Sequence, residues 1–479
     1  MRLGQLLGDA EGDGRQDAVT GFAIDHRKVA PGTVFGAFRG ARVNGEDFIP
    51  DAVRSGAVAV VARPEAAVTG AAHIAADEPR QVFARLAARF FAPFPATCVA
   101  VTGTNGKTST VELTRQLWRM AGRHAASVGT LGVTTADDRV TTGLTTPDVV
   151  TFLSNVAGLA REGVTHLAFE ASSHGLHQYR IEGLPVAAAA FTNLSRDHLD
   201  YHGDMAAYLT AKLRLFSEVL GDDGAAVVWA DDGASARVID LARERGNRLV
   251  TVGTRGCTIR LVERDPTLLG QGLTIEAEGR THRVHLPLIG AYQAANALLA
   301  AGLVIATGGE AERTFADLAR LQPVRGRLER AAITRTGAPV YVDYAHTPDA
   351  IEAAAAALKP HTGQGGGGRL ILVLGAGGDR DQGKREAMGQ VAAASADRVI
   401  VTDDNPRSED PAAIRAAVLR GAPDATEIGD RRAAIAAAVA DAGPEDIVLI
   451  AGKGHEQGQV VGDLTLPFDD VAVARECAG

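Results

Sequence analysis

The run Cys98-Val-Ala-Val-Thr-Gly-Thr-Asn-Gly-Lys-Thr-Ser-Thr110 restricts the possible folds of this chain more than any other stretch. Cys98 to Val101 reads as a short apolar strand, Gly103 and Gly106 belong to a turn, and Leu113, Leu117 and Met120 recur at helical spacing before Gly122. A strand, a glycine loop and a helix in that order aim several backbone N–H groups and the positive end of a helix dipole at one place. A phosphate chain fits there, with Lys107 reaching the outer phosphates and Thr108 offering its hydroxyl to magnesium. Only Thr104 and Asn105 separate the two glycines, fewer residues than the generic phosphate loop carries. A plain strand-to-helix turn is the competing reading; apolar strand, paired glycines, Lys-Thr and a good helix together favour a nucleotide site.

At 479 residues the chain is too long for one core, and about three domains are expected. A formal charge of -9 argues against a general affinity for nucleic acid or acidic membranes, so an anionic substrate must be met by local basic residues. The first residues lack the apolar core of a signal peptide, and no stretch reaches the roughly 20 apolar residues of a membrane span. A cytoplasmic protein is expected, with partners that are neither nucleic acid nor membrane. Cys98, Cys257 and Cys477 show no pairing or metal spacing, as reduced thiols would, and Cys98 reads as core.

Residues 1–97 alternate short strands and helices and read as a small N-terminal α/β domain. Within it, Asp25-His26-Arg27 precedes a Pro-Gly turn and is either a ligand edge or a solvated loop. Arg89 to Pro95, with two prolines, reads as a linker. A second domain spans residues 98–325. Thr145-Thr146-Pro147 is expected to open a helix with proline in the first turn. Thr165 to Glu170 is a strand ending in a carboxylate that should share the phosphate loop's crevice, as a magnesium ligand or as a solvated acid. The strand Val186 to Phe191 delivers a loop with Asp197, His198, Asp200 and His202. Magnesium with phosphate suits that loop better than zinc, although an imidazole is an unusual ligand for a hard cation. Residues 250–290 look β-rich, with a hairpin about Glu278-Gly279, and an alanine-rich helix follows Gly290.

The third domain, residues 326–479, repeats one theme. Strands at Val340–Val342, Leu370–Leu374, Val399–Val401 and Ile447–Ile450 each end in a polar loop, which implies a parallel, Rossmann-like sheet with four loops at one rim. Those loops pool arginines, carboxylates and an amide, and suit a small zwitterion with more than one charged end. None completes a dinucleotide fingerprint, so NAD is not supported. The run His361 to Gly368 reads as a mobile surface loop.

Seven ordered motifs, Thr102 to Thr108, Thr145-Thr-Pro147, Glu170 to Gly175, Phe191 to Asp204, Asp343 to Pro348, Asp404-Asn-Pro-Arg407 and Gly452 to Glu456, resemble the Mur ligase family across nearly the whole chain. That family assembles the peptidoglycan stem peptide in the bacterial cytoplasm, and its members use the compact phosphate loop. The resemblance implies an α/β fold of three domains: a small N-terminal α/β domain, a central phosphate-loop sheet that binds ATP, and a C-terminal Rossmann-like domain. It implies an ATP-dependent amide ligase that works with Mg2+ through an acyl phosphate, with small-molecule substrates only and as a monomer.

Carried over residue by residue, the resemblance places ATP on Gly103, Thr104, Asn105, Gly106, Lys107, Thr108 and Ser109, with Asn296, Arg327, Asp343 and His346 around the adenine, ribose and phosphates. It makes Lys107, Glu170, His198 and Lys212 catalytic, with Thr108, Glu170 and His198 organising magnesium and Lys212 carbamylated beside a second ion. Carbamylation requires an amine pKa below the ordinary value of about 10.4; otherwise Lys212 is a solvated helix lysine. Asp25, His26 and Arg27 are implied for the uridine end of a UDP-sugar dipeptide, and Thr145, Thr146, Ser172, Gln178 and Arg180 for its muramyl-dipeptide end. Asp404, Asn405, Pro406 and Arg407, with Arg380, Gly452 and Glu456, resemble the form that recognises meso-diaminopimelate. There Arg407 would grip the distal carboxylate and Glu456 would suit an ammonium group, unless the two pair with each other.

Two positions depart from the family pattern: His26 stands where a serine is usual, and Gln293 where an asparagine is usual. The alternatives are a lysine-adding ligase of the same build, which lacks a use for Arg407, and a nucleotide-binding scaffold without turnover, which would not retain Lys107, Glu170, His198 and Lys212.

Overall fold

The computed structural model describes residues 1–8, 16–40, 43–135, 139–140, 145–363, 367–379 and 381–479. Two compact units make up the chain, Met1–Thr251 with Gly302–Gly309, and Val252–Ala301 with Glu310–Gly479. Both are α/β: the described sheets of the first are mostly parallel, as the strand–loop–helix repetition predicts, and the second adds antiparallel strands to a mostly parallel sheet.

In the first unit, β1 (Gly21–Ala23), β2 (Thr33–Gly36), β3 (Ala57–Ala62) and β4 (Ala72–Ala75) pair in chain order and in parallel. Helix α1 (Pro79–Phe91) follows, and the first residues of the expected linker are its last turn. Phe90 and Phe91 are the reason: their rings lie 5.4 and 6.3 Å from that of Phe22, so burying them extends the helix. The central sheet contains β5 (Thr97–Thr102), β6 (Ala125–Gly129), β7 (His166–Glu170), β8 (Val186–Phe191) and β9 (Leu220–Trp229), in the order β9-β8-β5-β7-β6 and all parallel. Covered on both faces, β5 and β8 are continuous apolar runs without alternation. Phe22, Val34 and Phe83 share one apolar core with Cys98, Phe152, Phe169 and Phe191.

Strand β5 lies in the middle of this order, with Val101 opposite Glu170 of β7 and Thr102 opposite Phe191 of β8. The loops after these three strands therefore leave the sheet at one edge. Helix α2 (Lys107–Met120) starts from Gly106 at φ +85° and stops before Gly122 at φ +79°, a conformation that suits glycine. Helix α3 (Val149–Arg161) is capped by Asp148, whose carboxylate accepts from the N–H groups of Val150 and Thr151. Pro147 thus precedes the cap instead of entering the first turn, because the carboxylate satisfies two orphan donors at once. Two further helices, α4 (Ser173–His177) and α5 (Met205–Arg214), carry residues used below.

In the second unit, β10 (Ile259–Thr267), β11 (Gly270–Ala277) and β12 (Arg280–Leu286) form an antiparallel meander. Its Glu278-Gly279 turn has φ +51° and +73°, the two positive values that match the twist of a two-residue hairpin. Helix α6 (Ala291–Ala306) is the expected alanine-rich one. The last sheet has β13 (Glu329–Ile333), β14 (Pro339–Asp343), β15 (Leu370–Leu374), β16 (Arg398–Val401), β17 (Thr426–Glu427) and β18 (Ile447–Ala451) in the order β13-β14-β18-β15-β16-β17. All are parallel except β13. Helix α7 (Arg431–Asp441), a hairpin of β19 (Gly458–Val461) and β20 (Leu464–Pro467), and helix α8 (Asp470–Ala478) complete it.

The expected mobile run from His361 is corrected at its first residue, while residues 364–366 fall outside the described ones. His361 is buried, its Nε2 accepting from Gly290 N–H at 3.3 Å and its Nδ1 bonding Thr267 O at 2.6 Å. Those two partners require the neutral ring with the proton on Nδ1, and burial depresses its pKa in the same sense. Among the described residues, no helix is long and apolar enough to cross a membrane.

Candidate active site

The compact phosphate loop is held by the segment that follows β8. Thr104 N–H donates to Asn193 O at 2.9 Å, Asn105 N–H to Asn193 Oδ1 at 2.9 Å, and Thr192 Oγ1 to Asn105 O at 2.6 Å. Thr104 Oγ1 receives Ser195 N–H at 3.0 Å and lies 3.2 Å from Tyr208 OH. The approach leaves no space at Gly103, where a Cβ would lie 1.9 Å from Thr192 Oγ1 and φ is +144°. Thr192, Asn193, Ser195 and Tyr208 were not anticipated as site residues; the signal is the polar loop on the neighbouring strand.

Lys107 Nζ donates to Gly103 O at 2.9 Å and Thr104 O at 2.8 Å, curled over its own loop. Lys212, on α5, donates to the same Gly103 oxygen at 2.8 Å and sits 4.3 Å from the centre of the Tyr208 ring. It is 1% exposed, so it is no solvated helix lysine. Burial, with the charge of Lys107 adding to it, pushes its ammonium well below the usual lysine range, while Asp197 opposes this.

Glu170 is 2% exposed at the end of β7. Its Oε1 accepts from Thr130 N–H at 2.7 Å and its Oε2 from Thr130 Oγ1 at 3.2 Å. A Cβ at position 129 would lie 2.1 Å from Oε1, so Gly129 is what admits the carboxylate. His198 follows β8 at φ +53°, half exposed, 3.4 Å from Asp197 and 4.9 Å from the ring of His174. Among the described residues no three His, Cys, Asp or Glu side chains gather as a metal cage. One buried carboxylate and the Thr108 hydroxyl fit magnesium, which keeps few protein ligands and takes the rest from phosphate and water.

The dipeptide set is one network. Thr146 Oγ1 donates to Glu170 O at 2.9 Å and accepts from Ser172 N–H at 3.2 Å, while Thr145 Oγ1 lies 3.1 Å from Thr130 Oγ1. Arg180 donates to Thr146 O at 2.6 Å and through Nε and Nη2 to Gln178 Oε1, and Gln178 Nε2 donates to Tyr201 OH at 3.0 Å. Ser172 caps α4. On β1's outgoing loop, Asp25 caps a turn and binds Arg27, which holds its carboxyl down at about 2. His26 stacks on Phe48 with ring centres 4.3 Å apart and planes within 2°, a use that serine could not supply.

In the second unit, Asp343 is buried, with Oδ2 accepting from Leu328 N–H and Oδ1 from Ala345 N–H; burial raises its pKa. Gln293 Nε2 donates to Arg327 O at 2.9 Å and its Oε1 takes Asn296 Nδ2 at 3.3 Å, so the longer amide is accommodated. Arg327 lies over the Tyr344 ring, and His346 Nδ1 bonds Tyr344 O at 2.7 Å.

The rim loops of the last sheet meet as expected. Asn405 Oδ1 accepts from Lys453 Nζ at 3.0 Å and Val460 N–H at 2.9 Å, and its Nδ2 donates to Glu456 Oε2 at 2.8 Å. Lys453, 0% exposed, also reaches Glu456 at 3.3 Å. Arg407 does not pair with Glu456: at φ +52° it donates through Nη1 to Gly378 O at 2.7 Å, with its backbone tied to Val460 and Gly462 of the β19–β20 hairpin. Pro406 O would lie 1.9 Å from a Cβ on Gly378, and Asp404 Oδ2 would lie 2.5 Å from one on Gly452. Arg380 falls outside the described residues. Lys453, Gly378 and the hairpin were not singled out beforehand, since only pairing across the chain reveals their role.

Family models match three stretches: "Mur ligase family, catalytic domain" at residues 18–91, "Mur ligase middle domain" at 101–304 and "Mur ligase, glutamate ligase domain" at 326–454. The chain belongs to the Mur ligase family. This Mur ligase is 59% identical over 462 residues to the UDP-N-acetylmuramoyl-L-alanyl-D-glutamate--2,6-diaminopimelate ligase of Zymomonas mobilis subsp. mobilis, covering 96% of this chain and 94% of that one. A protein of the same name from Bradyrhizobium diazoefficiens is 52% identical, covering 94% and 93%. A solved structure, also of a UDP-N-acetylmuramoyl-L-alanyl-D-glutamate--2,6-diaminopimelate ligase, superposes on the Mur ligase with a TM-score of 0.76 at 32% identity, covering 100% and 98%.

Proposed function

We propose that this Mur ligase is an ATP-dependent, ADP-forming ligase that joins meso-diaminopimelate to the D-glutamate of UDP-N-acetylmuramoyl-L-alanyl-D-glutamate, in the cytoplasmic synthesis of peptidoglycan precursors. The observation that carries this is the Asp404 to Arg407 loop, which presents a guanidinium at a rim that already holds Glu456 and Asn405. A distal carboxylate is what an arginine fork recognises, and the homologues' name supports the same amino acid.

The side-chain carboxylate of the glutamate attacks the γ-phosphate of ATP, ADP departs, and an acyl phosphate forms. An amine of diaminopimelate then attacks the acyl carbon, loses a proton and expels phosphate. Lys107 and the backbone N–H groups at the start of α2 face the charge that spreads over the transferring phosphoryl group. Thr108, Glu170 and His198 are the residues to hold magnesium, which when bound neutralises phosphate charge. The depressed pKa of Lys212 supports its carbamylation, because only the neutral amine takes up carbon dioxide.

Phosphate release from ATP and magnesium with the UDP-sugar dipeptide tests the proposal, with meso-diaminopimelate and L-lysine offered separately. Turnover with diaminopimelate alone is expected. Preference for lysine would keep the ligase and refute the Arg407 reading; silence with both would favour a scaffold. In the same assay, Lys453→Met leaves Glu456 and Asn405 without their buried cation and should raise the KM for diaminopimelate about tenfold, the equivalent of one charge-assisted bond. An unchanged KM would mean that Lys453 only fills space.

A further inference from the structure

A cavity of about 60 Å³ lies within the first unit, lined among others by Ile24, Phe38, Arg80, Asp148, Gln178 and Arg180. Gln178 and Arg180 already have a place in the substrate network, whereas Arg80 has none. It is the second residue of α1, where a cation opposes the helix dipole. It donates to Arg39 O at 3.0 Å and lies 4.8 Å above the Phe38 ring. Arg180 uses three of its five N–H donors on Thr146 O and Gln178. Among the described residues neither guanidinium has a carboxylate in an ion pair. Asp148, the acid in the lining, is committed to capping α3 through three bonds from Val150 and Thr151. Two half-buried arginines from separate segments thus face one small space; burial makes both easier to deprotonate, repulsion from the charge of Arg180 adds to this at Arg80, Tyr201 opposes it at both and Asp148 opposes it at Arg180. An anion between them relieves that repulsion, and a planar fork is the donor that grips a carboxylate or phosphate with two bonds.

We infer that Arg80 is a further substrate-binding residue, which with Arg180 holds one anionic group of the sugar-nucleotide dipeptide in this cavity. The inference rests on the function proposed above. At about 60 Å³ the cavity is far smaller than the several hundred Å³ of a whole-ligand pocket and suits one small anionic group, a carboxylate or a phosphoryl. Ile24 adjoins the Asp25–Arg27 turn, and Gln178 and Arg180 belong to the dipeptide network, so the group is either the diphosphate bridge or a dipeptide carboxylate.

Arg80→Met and Arg80→Lys decide the matter in the phosphate-release assay, with melting temperatures measured alongside. Arg80→Met should raise the KM for the sugar nucleotide about 10- to 100-fold, the loss of a charged hydrogen bond, while the KM for ATP stays within about twofold. Lysine should restore part of the loss by keeping the charge without the fork. Inhibition by UDP separates the sources: weakened in step, it assigns the diphosphate; unchanged, the carboxylate. A folded Arg80→Met with the wild-type KM for the sugar nucleotide overturns the inference, and should methionine prevent folding, a wild-type KM in Arg80→Lys does so. Failure of the wild-type protein to turn over would instead reject the proposed function.

Discussion

Arg431→Met is expected to destabilise the second unit by about 3–5 kcal/mol, the usual result of removing one partner from a buried ion pair. Both side chains of the Arg431–Asp470 pair are 0% exposed, and two parallel bonds join them, Nε to Oδ1 at 2.8 Å and Nη2 to Oδ2 at 2.7 Å. Methionine matches much of the volume but leaves the Asp470 carboxylate buried without its cation. The guanidinium also donates to Ala451 O at 3.0 Å and Asp403 O at 3.3 Å, the residues just before Gly452 and Asp404. The substitution should therefore raise the KM for the amino acid as well as lower the first unfolding transition in calorimetry. Replacing both partners with apolar residues should recover most of the stability, since no orphan charge remains, without recovering the KM. An unchanged transition in Arg431→Met would show that the pair contributes nothing net.

Lys107→Met should reduce kcat about 10²- to 10³-fold, the range seen when one preorganised donor to a developing charge is removed. The fold should survive, because the carbonyls of Gly103 and Thr104 that Lys107 bonds lie in its own loop, and Lys212 remains on the first of these. Arginine is not expected to rescue, as its fork does not fit a loop closed over by Thr192 and Asn193. A raised KM for ATP with kcat intact would mean that Lys107 binds ground state and transition state alike, and would end the role given to it here.

The places where sequence reasoning fell short have a common cause. Pro147 looked like a first-turn residue, yet Asp148 competes better for the free N–H groups. His361 looked like the start of a loose loop, yet a distant strand end and the start of α6 claim both ring nitrogens. The Arg89 to Pro95 stretch looked like a linker, yet two phenylalanines keep its first residues helical.

Local pattern was enough for the α/β class, the strand-loop-helix at Cys98 to Thr110, the Glu278-Gly279 hairpin and the rim of four loops. Each of these depends on periodicity or on backbone conformations that a few neighbouring residues dictate. Only folding decided that Lys212 is dry, that Asn193 clamps the phosphate loop, that Lys453 stands behind Asn405 and Glu456, and that Arg80 meets Arg180. Burial and pairing between residues tens to hundreds of positions apart are properties of packing, and no local spacing encodes them.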